Sequence, residues 1–238
     1  MAAAVPGLGR DGDPTSKAIA RALSSTAAGR LTSEERVWAQ RIEARRREVA
    51  DLSGARHSEE VGAFDIRLAV KWMSVPAPLG RLLMRLVREL ESRSCLELGT
   101  GFGISAAYLA AALQLNRAGR LITVDIDPRP AAVARQGFDS LGLERVEIRA
   151  GGGEGVLAAA LADSAPLEFA FVDGDHREAA TLEALRALLP HLAPGAVIVF
   201  DDVTRSWPGM DRAWRAIEEH ERVRATRHLG RFGIAAFV

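Results

Sequence analysis

The sequence predicts an α/β protein with a doubly wound, seven-stranded, mostly parallel sheet. A C-terminal antiparallel strand ends it, and helices cover both faces. Three observations carry this reading. From about residue 78, short and nearly continuous apolar runs alternate with segments of helical period, as in a parallel sheet covered on both sides. The first run opens into the glycine-rich turn Gly99-Thr100-Gly101-Phe102-Gly103. The last two runs are separated by Gly230-Arg231 alone, and a two-residue connection joins antiparallel strands.

The elements follow in order. The first 16 residues are rich in Ala, Gly, Pro and Asp and show no period; a mobile tail is expected, taken as residues 1–30. Residues 31–53 read as a charged helix opened by a Thr32-Ser33-Glu34-Glu35 capping box. Its thin apolar stripe of Val37, Trp38, Ile42 and Val49 suits packing on the main domain or on a second copy, so a homodimer through these N-terminal helices is expected. Residues 31–55 form this extension and 56–238 the main domain. Within it, strands are expected at 94–98, 121–125, 146–149, 169–173, 196–201, 223–229 and 232–238. Helices are expected at 78–91, 104–113, 129–141, 154–161, 177–189 and 210–220. Asp127-Pro128 supplies an N-cap and a first-turn proline for the third of these helices.

Composition sets limits. The chain has 238 residues, with 31 Lys+Arg against 31 Asp+Glu, so a mainly electrostatic partner such as nucleic acid or an anionic membrane is not expected. Two of the basic residues are lysines, Lys17 and Lys71, which leaves almost no candidate for a catalytic lysine. Cys95 is the single cysteine; an internal disulfide or a cysteine-rich zinc site is ruled out. No basic, then apolar leader opens the chain and no run approaches a membrane span, so a cytoplasmic protein is expected.

The glycine turn follows Glu97-Leu98 in the order Gly99, Gly101, Gly103. Glycine there lets backbone approach a ligand in the crevice beyond the strand ends. The spacing is not the G-x-G-x-x-G of dinucleotide binders, which seats a pyrophosphate on a helix N-terminus. A carboxylate at Glu97 repels phosphate and suits a cationic amine. The second strand ends at Asp125, where an acid can bridge ribose hydroxyls. A ribose and a cationic amino acid without phosphate describe S-adenosylmethionine. On these residues the sequence resembles the class I S-adenosylmethionine-dependent methyltransferases, whose sheet is Rossmann-like, over roughly residues 70–238.

Two further strands end in Val172-Asp173-Gly174-Asp175-His176 and Phe200-Asp201-Asp202. Carboxylates gathered at one sheet edge need a compensating charge, and a hard divalent ion supplies it. Helix capping by Asp173 or Asp175 is the structural alternative. The pattern resembles the metal-dependent small-molecule O-methyltransferases of the catechol, caffeoyl-coenzyme A and antibiotic-sugar types. That resemblance implies Mg²⁺ on Asp173, Asp201 and Asp202, and a catechol-like or sugar-diol acceptor. It implies cofactor contacts from Val75 in the Trp72–Val75 segment, Glu97 (amine), Ser105 (carboxylate end), Asp125 (ribose), Gly151 and Gly152 (adenine), and Asp173. Catechol-type relatives carry a lysine base where this chain has His176. Sugar-type relatives use the second acid of Asp-Gly-Asp, here Asp175, so both are candidate bases. A histidine titrates near pH ~6.5, which suits a base near neutrality. The loop at 204–210 is placed to cover the acceptor, with Trp207 as a wall. The alternatives are a metal-independent methyltransferase acting on nitrogen or a carboxylate, an NAD-dependent oxidoreductase, and a non-catalytic cofactor-binding protein.

Overall fold

The computed structural model describes residues 12–51, 70, 74–151, 154–204 and 206–238. His57, Lys71, Trp72, Met73, Gly152, Gly153 and Arg205 lie outside the described residues. In chain order the elements are α1 (Pro14–Ala27), α2 (Ser33–Asp51), α3 (Ala77–Glu89), β1 (Ser94–Leu98), α4 (Ile104–Asn116), β2 (Arg120–Asp125), α5 (Pro128–Leu141), β3 (Val146–Ala150), α6 (Glu154–Ser164), β4 (Leu167–Val172), α7 (Glu178–Leu188), β5 (Leu192–Phe200), α8 (Met210–Glu218), β6 (Val223–Leu229) and β7 (Phe232–Phe237).

The strands form one sheet in the order β3-β2-β1-β4-β5-β7-β6. The first five pair in parallel. β7 is antiparallel to both β5 and β6. The antiparallel strand is therefore last in the chain but not at the edge of the sheet: the hairpin inserts β7 between β5 and β6. Composition explains the choice. β7 is Phe-Gly-Ile-Ala-Ala-Phe and wholly buried, whereas β6 carries Arg224, Arg227 and His228 and is half-exposed, as suits an edge.

The two faces follow from the strand period of two. Cys95, Leu121, Phe169 and Val197 point to one face, where α1 to α5 cover them with Ile19, Ile42, Leu83, Tyr108 and Phe138. Their neighbours Leu96, Ile122, Ala170 and Ile198 point to the other, under Leu161 of α6, Leu185 of α7 and Trp214 and Ile217 of α8. Cys95 is buried in this core, as its place in the first strand suggests.

The tail reading needs correction for residues 14–27, which form α1. Asp13 caps the helix by accepting from the Ser16 amide at 3.0 Å, and Pro14 opens the first turn. Ala18, Ile19 and Ala22 are buried against α3. The stripe escaped notice because two of its three members are alanines. The capping box at the start of α2 is reciprocal: Glu35 N donates to Thr32 Oγ1 at 3.2 Å, and Thr32 N donates to Glu35 Oε2 at 2.9 Å. Ile42 and Val49 of the α2 stripe are buried, with Ala39 beside them, and the helix packs on α3, α4 and α5, while Val37 stays 53% exposed. No helix among the described residues is long and apolar enough to cross a membrane.

Candidate active site

Every strand from β1 to β5 ends on the same edge, and the candidate residues gather there. The turn after β1 comes so close to the end of β4 that a Cβ on Gly99 would stand 2.0 Å from the Asp173 carbonyl oxygen, at φ +103°. Gly103, at φ +78°, is the N-cap of α4; a Cβ there would meet Ala134 Cβ at 2.7 Å. Gly101 instead faces open space, and its amide donates to Asp125 Oδ2 at 2.7 Å. Asp125 Oδ1 accepts from the Asp127 amide at 2.9 Å, and the Asp125 carbonyl accepts from Gly151 N at 2.9 Å. Asp125 thus ties three loops together, and Gly151 stands beside it. Asp127 caps α5 through the Arg129 amide.

Glu97 is completely buried. Burial pushes its carboxyl up to about 8, against the favourable hydroxyls of Ser105 and Thr123 and with the Asp125 charge adding to the rise. Thr123 Oγ1 donates to Oε2 at 2.5 Å, while Oε1 has no hydrogen-bond partner. A buried acceptor without a donor is costly, and a cationic amine would satisfy it. Together with the open space at Gly101, this makes the residues present a fit for S-adenosylmethionine. Val75 is wholly buried. Its carbonyl accepts from Arg46 Nη2 at 2.7 Å; Arg46 also pairs with Glu43 at 3.0 Å, and Glu43 accepts from the Tyr108 hydroxyl at 2.8 Å. This link from α2 to the Val75 segment had no sequence signal, since Val75 lies 29 residues from Arg46 and Tyr108 lies 65 from Glu43.

The acids at the ends of β4 and β5 do come together. Burial first, then the Asp201 charge, drives the Asp173 carboxyl well above the usual carboxylate range; the same two causes raise Asp202. Neither Asp173 nor Asp175 caps α7, whose N-cap is Arg177 with no side-chain bond. His176 lies between two of the acids, with Nε2 3.7 Å from Asp173 Oδ1 and 3.6 Å from Asp202 Oδ2. Its ring is 5.0 Å from that of Trp207, and Trp207 hydrogen-bonds Asp202. Asp175 turns away to Arg177, whose Nε donates to both of its oxygens at 2.8 Å; that bond holds Asp175 below its ordinary value. A cleft of about 1060 Å³ opens here, with His176, Trp207 and Pro208 in its wall.

The compensating charge is the residue that sequence reasoning missed. Arg231, in the β6–β7 turn, donates from Nε to Asp201 Oδ1 at 2.6 Å and from Nη2 to Asp201 Oδ2 at 2.5 Å. Its Nε also stands 3.1 Å from Asp202 Oδ1. Three carboxylates are the right donors for a hard divalent ion, but both oxygens of Asp201 are already engaged. Among the described residues no group of three or more His, Cys, Asp or Glu is arranged to hold a metal. The expected Mg²⁺ site does not fit this arrangement.

Residues 96–203 match the family model described as a methyltransferase domain. The chain is 36% identical over 141 residues to a catechol O-methyltransferase of Niastella koreensis, covering 58% of this chain and 62% of the relative. It spans about half to three fifths of the length of the curated relatives it matches first. An O-methyltransferase from Bacillus cereus, solved with SAH, superposes with a TM-score of 0.62 at 26% identity, covering 83% of this chain and 99% of that one. The O-methyltransferase TomG from Streptomyces achromogenes, involved in tomaymycin synthesis and solved with SAM, gives 0.61 at 26% identity over 80% and 89% of the two chains.

Proposed function

We propose that this chain, which carries a methyltransferase domain on the class I fold, is a cytoplasmic S-adenosylmethionine-dependent O-methyltransferase acting on a hydroxyl of a small molecule. One juxtaposition carries the reading: an acid-lined glycine turn and a histidine set between two acids share one edge of the sheet, and the histidine stands in the wall of a cleft. The cofactor would supply a methyl group on a cationic sulfur, a good leaving group. Glu97 receives the amine on its unpartnered oxygen, with Ser105 beside it. Asp125 retains lone pairs for the ribose hydroxyls after accepting two amides. Gly99, Gly101 and Gly103 shape the turn, and Gly151 borders the adenine.

His176 takes the acceptor's proton. Asp173 and Asp202 stand within 3.7 Å of its Nε2, close enough to favour the imidazolium that forms. Asp175 would have to release Arg177 to play that part, so His176 is the base we favour. Trp207, 44% exposed, walls the acceptor. Catechols head the acceptor candidates because the Niastella koreensis relative is a catechol O-methyltransferase, with sugar diols next.

The test is methyl transfer over a panel of catechols and vicinal sugar diols, read by product mass. His176→Ala should lower kcat by about 10²–10⁴-fold and leave S-adenosylhomocysteine affinity unchanged, while Asp175→Ala should change kcat little. Methylation confined to amines or carboxylates would overturn the O-methyl reading. A His176→Ala enzyme with wild-type kcat would overturn the base.

A further inference from the structure

The acidic pocket poses a question that the proposed reaction does not answer: what neutralises Asp201. Its side chain is fully buried, and an uncompensated buried carboxylate is strongly destabilising. The neighbouring acids Asp173 and Asp202 add like charge. His176 reaches Asp173 and Asp202 at 3.7 and 3.6 Å, and among the described residues Arg231 is the cation paired with both Asp201 and Asp202.

The contact is built into the fold. The Arg231 carbonyl accepts from Val203 N at 3.0 Å, which pins the β6–β7 turn against the segment just beyond β5. His228, near the end of β6, places Nε2 2.9 Å from the Val203 carbonyl. Asp202 adopts φ +51°, a conformation that non-glycine residues seldom take, and its carboxylate meets Arg231 on one oxygen and His176 on the other. The guanidinium side chain is three-quarters buried, and its two-pronged grip on one carboxylate is the geometry in which arginine binds strongly.

We propose that Arg231 is the resident cation of this pocket, its guanidinium occupying the place between Asp201 and Asp202 that a divalent ion would take. The acidic cluster then binds no metal while Arg231 is seated, and it becomes a divalent site when the guanidinium is removed. This goes beyond the proposed reaction and does not depend on the identity of the acceptor.

The experiment titrates Mn²⁺, a probe for hard oxygen sites, into the full-length protein. Binding is followed by loss of the free-ion paramagnetic resonance signal, and thermal unfolding is recorded with and without the ion. Wild type should show no one-to-one binding and no rise in Tm. Arg231→Gln should gain a single site at least tenfold tighter, and Mn²⁺ should raise its Tm by mass action. Arg231→Lys keeps the charge but loses the fork and should fall between them, which preserves the test if the glutamine variant does not fold. Stoichiometric Mn²⁺ binding by wild type that Asp201→Asn abolishes would overturn the proposal. So would a folded Arg231→Gln protein with no gain in affinity or, where that variant does not fold, a folded Arg231→Lys protein with none. An S-adenosylhomocysteine titration of each variant reports separately on the cofactor site, so failure there is distinguishable from failure here.

Discussion

Glu97 is the residue on which the cofactor reading leans most, and its burial gives it a measurable signature. Its carboxyl lies at about 8, against an ordinary 4.5, so the folded protein holds this proton more tightly than the unfolded chain does. The resulting stability is fully present below about pH 4.5 and is lost as pH rises through about 8. Glu97→Gln keeps an acceptor and removes the titration. Denaturant unfolding at several pH values should therefore fall more steeply between about pH 5 and pH 8 for wild type than for the variant. Parallel profiles would remove Glu97 from the account. At this scale the sequence was informative. Glu97, Asp125 and the three glycines are legible because a turn and a strand end are local features. Arg231 is not, since nothing near it in the chain distinguishes it from the other 28 arginines.

Among the elements, α1 and α2 matter because they brace α3 and the Val75 segment. Glu35 completes the capping box and is also buried between two arginines, Arg85 Nη2 at 2.6 Å and Arg88 Nη1 at 2.8 Å. Removing one partner of a buried pair costs about 3–5 kcal/mol, so Glu35→Ala should lose roughly that much in urea unfolding. A loss under about 1 kcal/mol would mean the pair behaves as a surface ion pair does. The capping box was readable from Thr32 and Glu35 alone; the second duty of Glu35 was not, because its partners lie 50 and 53 residues away. Distance along the chain likewise hid the link from Glu43 to Tyr108, 65 residues on.

For the whole molecule, the two-faced sheet gives one rigid edge on which Glu97, Asp125, Asp173, Asp201 and Asp202 stand together. The zero net charge of the chain conceals this local concentration. A ligand that binds the folded form at 100 times its Kd stabilises it by about 2.7 kcal/mol. For a chain of this length S-adenosylhomocysteine should then raise Tm by about 5–10 °C, and NADH should leave it unchanged; the reverse would revive the oxidoreductase alternative. The sequence by itself determined the parallel sheet, the covered faces, the glycine turn and the acids at the strand ends. Each of these is written in a short period or in the chemistry of one turn. The tertiary structure alone decided that β7 inserts ahead of β6, that α1 is a packed helix, and that Arg231 reaches back to Asp201. Such pairings depend on burial and charge compensation between distant segments, and the free energy of burying a charge is set by its neighbours in space, which the order of residues does not display.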